Sequence, residues 1–171
     1  MTTVIFIFVT LLAAALQAAV PTFASTGYAP LPFLLGVVIY YALMHRPSRM
    51  LQAAVLIGLL DDSLGQMPLG FSSFCYATIC LVVARFRDAM TVRSWITQAF
   101  LGATANFATT FFTWLLLAKD GELHWPIHWL LFKFAGSFVN GALLVPVIFA
   151  ALFKLDNMLG HTHDAEEAHP L

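Results

Sequence analysis

Charge is what this chain most lacks. Lys and Arg number 8 and Asp and Glu 9 among 171 residues, 10% of the whole, whereas a soluble domain carries about 25%. That scarcity excludes a fully hydrated globular surface, and a formal net charge of -1 excludes a broad basic field for nucleic acid. Cysteine is nearly absent. Cys75 and Cys80 stand five apart in an apolar run, a spacing of neither a zinc pair nor a redox Cys-x-x-Cys, so both read as buried free thiols. No Lys or Arg precedes the apolar stretch 4–20. A cleaved secretory signal normally has a positive segment there, so the stretch reads as a retained first helix. Nucleophile elbow, metalloprotease helix and phosphate loop are all missing. No catalytic residue, metal site or cofactor is expected.

What is there is apolar length. Sixty per cent of the residues are hydrophobic, in segments over 4–23, 31–44, 50–60, 68–84, 95–118 and 127–153. Six spans of about 20 residues would use about 120 residues, leaving only short loops. The expected fold is all-α: a compact bundle of about six transmembrane helices over 1–156, with a disordered cytoplasmic tail over 157–171. Pro30 and Pro32 suit a bend and a helix start, and Pro146 predicts a kink in the last segment. Segments two to four are short for a span. Five spans with a re-entrant hairpin is therefore the rival arrangement, because irregular backbone survives at membrane depth only where protein or water covers it.

Basic residues give a direction. Arg46 and Arg49 lie between segments two and three, Arg85, Arg87 and Arg93 between four and five, and Lys154 after six. The opposite loops hold only Lys119 beside Asp61, Asp62, Asp120 and Glu122. The positive-inside rule places both termini in the cytoplasm. Trp114, Trp125 and Trp129 then read as outer aromatic anchors, and Trp95, Tyr40 and Tyr41 as inner ones.

Three sets of polar residues interrupt the apolar runs. Gln98, Gly102, Asn106, Thr109 and Thr113 recur at spacings of three and four along segment five, one helical stripe. Lys133, Ser137, Asn140 and Gly141, with Gly136 beside them, form a second stripe on segment six. Facing stripes of this kind serve close helix packing or line a polar groove, and both readings stand. Lys133 is the basic residue expected within a span, either snorkelling to the headgroups or pairing with Asp61 or Asp62. His161, His163 and His169 sit among Asp164, Glu166 and Glu167. A loose metal site is conceivable there, but a solvated tail is the expected reading. His45, His124 and His128 have no partner at ligand spacing.

The third set is the turn from Gly58 to Gly70. Asp61 and Asp62 follow an apolar helix, where the macrodipole disfavours acids. Water, a cation or the exposed amides of the next helix must compensate. Pro68 is expected early in that next helix, and Gly65 and Gly70 permit a tight reversal. The plain alternative is an exposed polar turn.

In this stretch the chain resembles the rod shape-determining MreD family, whose pattern is Gly-Leu-Leu-x-Asp at a helix end and Pro-Leu-Gly after a short loop. Gly58, Leu59, Leu60 and Asp62 match the first part, and Pro68, Leu69 and Gly70 the second. Asp61 is an additional acid, and Gly65 stands one place early. Spacing favours Asp62 as the family's acid. The resemblance implies a multi-pass protein of the bacterial inner membrane. It further implies a non-enzymatic scaffold that acts with MreC, MreB, RodA and a penicillin-binding transpeptidase in lateral peptidoglycan synthesis. Ala99/Gly102/Ala103 and Gly136/Asn140 are candidate docking faces for MreC. A second likeness is to the vitamin-binding S-component of an energy-coupling-factor transporter, a small membrane bundle of similar architecture. Ala13, Ala14, Ala15, Ala18 and Ala19 suit its alanine-rich coupling face.

Overall fold

The apolar segments fold as helices, which satisfy each segment's backbone hydrogen bonds within the segment itself. The computed structural model describes residues 3–20, 29–44, 47–65, 68–86, 94–119 and 127–158. Among them stand six helices and no strand: α1 (Thr3–Ala19), α2 (Phe33–Met44), α3 (Pro47–Gly65), α4 (Phe71–Phe86), α5 (Trp95–Lys119) and α6 (Ile127–Met158). The tail beyond Met158, with its three histidines, lies outside the described residues, as do Trp125 and the Arg46, Arg87 and Arg93 loops.

Helix α2 is the axis of the bundle. Every residue from Leu34 to Leu43 is buried, and α2 touches all five other helices. It is apolar all round, which is the pattern of a helix with no solvent face. The other five carry an apolar side outward, as at Phe8, Phe74, Ile96 and Leu143, exposed by 65%, 72%, 81% and 65%. A soluble monomer rarely exposes apolar surface on this scale.

Two helices are long and apolar enough to cross a membrane by themselves, over Trp95–Leu116 and His128–Met158. The apolar stretches Ile5–Ala19, Phe33–Met44 and Phe71–Arg85 are shorter. At 1.5 Å per residue α2 extends only about 18 Å, against a hydrocarbon core of about 30 Å. A helix enclosed by its neighbours need not reach both faces.

Several boundaries depart from expectation. Helix α3 carries Asp61 and Asp62 inside its last turns instead of stopping before them, because other helices satisfy both acids. Pro68, Leu69 and Gly70 form the turn before α4 and not its first residues. The Phe71 amide bonds the Pro68 carbonyl at 3.2 Å, and Gly70 has φ 98°, a conformation suited to glycine. Helix α6 continues through Pro146 to Met158, so it takes in the first two residues assigned to the tail. Tyr40 and Tyr41 are not interfacial anchors. They are 1% and 4% exposed, Tyr40 packing on Phe149 and Tyr41 on Phe6 at ring separations of 5.1 and 5.0 Å. The Tyr40 hydroxyl donates to Asp156. Trp95 and Trp129, by contrast, are exposed.

Candidate functional site

Helices α3 and α4 form an antiparallel pair closed by Asp62. Its carboxylate is 1% exposed. Oδ2 accepts the Gly70 N–H at 2.7 Å and Oδ1 the Ser72 N–H at 2.8 Å. These are the amides that open α4, the positive end of that helix. Of the three ways to compensate an acid at a helix C-terminus, the chain uses the next helix's amides. Gly58 completes the pair: a Cβ there would strike the Ser73 backbone. Ser73 in turn donates its hydroxyl to the Val55 carbonyl at 3.0 Å.

Asp61 points elsewhere. Its Oδ1 accepts Gln17 Nε2 at 2.6 Å and its Oδ2 the Tyr76 hydroxyl at 2.7 Å, so one side chain ties α3 to α1 and α4. Gln17 also accepts the Leu34 N–H at 3.2 Å, at the start of α2. Above that start lies a cavity of about 500 Å³. Its walls come from all six helices, with Gln17, Asp61, Gly65, Ser72, Tyr76, Asn106, Thr109, Thr110, Thr113 and Lys133 supplying most of the polar lining. Leu31, Leu35 and Leu64 supply part of the apolar lining.

The long stripes of α5 and α6 meet, running antiparallel. Gly102 and Gly141 stand backbone to backbone, and a Cβ on either would strike the other's carbonyl. One step toward the cavity, Asn106 Nδ2 donates to the Ser137 carbonyl at 2.8 Å, and Ser137 Oγ donates to the Asn106 carbonyl at 2.9 Å. The Thr110 and Ser137 hydroxyls lie 2.6 Å apart. Gly102, Gly136 and Asn140 are buried, so they are not free docking faces for a partner. The middle of the stripes is helix packing, and one end lines the cavity.

The family model described as rod shape-determining protein MreD matches residues 1–155. The chain belongs to the MreD family. No curated protein and no solved structure matches it. In this MreD-family chain, Gly58, Asp62, Pro68 and Gly70, among the residues that carry the sequence resemblance, all sit in the α3–α4 pair and its turn. Their visible work is to hold two helices together. The additional acid, Asp61, is the one that faces the cavity.

The cavity brings together Asp61, Gly65, Asn106, Thr109, Thr113 and Lys133 from the polar and turn residues that the sequence singles out. Ser137 lies in the α5–α6 contact, while Gln98 and Asn140 are buried outside the cavity lining. Asn140 Nδ2 has no acceptor among the described residues. Lys133 is half-buried. The expected pairing with it is not what holds the two acids, whose bonds go to Gln17, Tyr76, Gly70 and Ser72. Sequence reasoning passes over Gln17, Ser72, Tyr76 and Thr110. Gln17 carries a signal, as the lone amide in an apolar helix, and Thr110 adjoins the stripe. Tyr76 and Ser72 carry none.

Proposed function

We propose that this chain is a non-enzymatic membrane scaffold of the bacterial cell-elongation complex. It binds MreC and supports lateral peptidoglycan synthesis alongside MreB, RodA and a penicillin-binding transpeptidase. The family match over residues 1–155 carries this reading. It is supported by the apolar outward sides of five helices, which suit lipid and the transmembrane helix of a partner.

In this reading all six helices lie in the inner membrane and both termini face the cytoplasm. Arg49 and Arg85, both exposed, lie near the helix ends opposite the Asp61–Gly70 turn. The turn and the cavity then face the periplasm, where MreC would present its soluble part. With Gly102, Gly136 and Asn140 taken up inside the bundle, MreC docks on the outward apolar sides.

Purification of the tagged chain from cells in mild detergent tests the proposal. An MreC-like protein in stoichiometric amount is the expected companion. The cavity keeps the S-component likeness in view, so the overturning result is equally concrete: a bound vitamin with no MreC-like protein.

A further inference from the structure

The cavity over the start of α2 has the size of a ligand site. Its volume of about 500 Å³ falls within the range of roughly 300–1,000 Å³ usual for small-molecule pockets. Asp61 and Lys133 are its charged lining residues, and their opposite signs leave the described lining without net charge. Asp61 already takes bonds from Gln17, Tyr76 and the Ser72 side chain, close to the about four that a carboxylate accepts. Lys133 is also engaged. Neither charge calls for a counter-ion.

Lone pairs are what the lining leaves open. Asn106 is 3% exposed and lines the cavity. Its Nδ2 donates to two carbonyls, of Ser137 at 2.8 Å and Pro30 at 3.5 Å, which identifies the other end of the amide as oxygen. No donor reaches that Oδ1 among the described residues. An open acceptor in so buried a residue points to a missing partner. Three hydroxyls of the lining have committed their hydrogens, Tyr76 and Ser72 to Asp61 and Thr109 to the Ala105 carbonyl at 3.0 Å. Each keeps lone pairs that can accept. Thr113 adds a hydroxyl one turn on, so the polar groups of α5 run along about 10 Å of helix. Pro30, Leu31, Pro32 and Leu35 give the same cavity an apolar side.

We propose that the cavity binds one neutral cyclic polyol, either a free sugar ring or the sugar headgroup of a lipid. Its hydroxyls donate to Asn106 Oδ1 and the Thr109 oxygen and share a bond with Thr113, while its C–H face lies against Leu31 and Leu35. A cation would meet Lys133 in the same lining, and an anion would meet Asp61 and a shortage of hydrogens. Binding here does not require MreC, so the proposal stands or falls apart from the scaffold reading.

The test is equilibrium dialysis of the full chain, in a sugar-free detergent, against radiolabelled glucose and myo-inositol. Dialysis is preferred to a melting curve because excluded sugars stabilise any protein. Saturable binding of one ring per chain is expected, with cyclohexanol failing to compete. Thr109→Val and Thr113→Val each exchange a hydroxyl for a methyl and are expected to weaken binding about three- to tenfold, the worth of one neutral hydrogen bond. Thr104→Val is the control and keeps full binding, since Thr104 bonds back to the Phe100 carbonyl and is outside the cavity lining. A monoglucosyl diacylglycerol that binds more tightly than glucose would support the site and name the bilayer as source. Glucose binding as tightly as the lipid would support it and name a soluble one. No saturable binding of glucose, inositol or the glycolipid would overturn it. So would competition by cyclohexanol equal to that of inositol, or unchanged affinity in the Thr109→Val/Thr113→Val double variant. Each single variant answers the question where the double one unfolds.

Discussion

Two adjacent carboxylates at one helix end do different work, and their neighbours decide which. Asp62 holds the amides of Gly70 and Ser72, so Asp62→Ala leaves one buried and one part-buried donor without their charged acceptor. The loss should be about 1.5–3 kcal/mol, read as a lowered unfolding midpoint in detergent. Asp62→Asn keeps one acceptor oxygen and should lose less, while still inserting and impairing rod shape. Normal rods with that change would reduce Asp62 to an ordinary turn residue. Gly70→Ala forces a Cβ into φ 98° and should cost about 1–3 kcal/mol by the same assay. The Asp62 spacing is legible in the sequence because its partners lie eight and ten residues on. The partners of Asp61 are not legible there. Gln17 lies 44 residues away and Tyr76 15, and only the fold brings them together.

Among the elements, α5 and α6 share the most extensive contact, and their close approach depends on the absence of side chains at Gly102 and Gly141. Gly102→Val should force the helices apart and lower the yield of folded protein, whereas Ile96→Val, on the exposed side of α5, should not. Asn106 and Ser137 exchange reciprocal bonds. A double-mutant cycle of Asn106→Ala and Ser137→Ala should show coupling of about 0.6 kcal/mol, the average for such pairs in a membrane, and at most about 1.7. Additive effects would mean the pair contributes nothing jointly. Spacing alone makes these stripes visible, since three- and four-residue steps map directly onto one helix face. The role of α2 is hidden for the opposite reason. Its residues are apolar on every side, so no periodicity marks a buried axis. The full extent of α3 is hidden too, because charged residues look like a helix end until their partners are known.

At the scale of the whole molecule, the six helices of the described residues line a partly polar cavity, and the five around α2 turn apolar faces outward. That inversion fits a protein whose solvent is lipid, and composition alone points to it. The proposed direction, with both ends in the cytoplasm, predicts that a reporter fused after Leu171 works only in the cytoplasm; activity outside would reverse the arrangement. A scaffold of this kind would hold rod growth together without catalysing a step. Controlled depletion in rod-shaped host cells, followed by microscopy, tests this most directly. Cells should widen and round while MreC persists but no longer co-purifies with the elongation proteins. Rods of unchanged width after the protein is gone would contradict it.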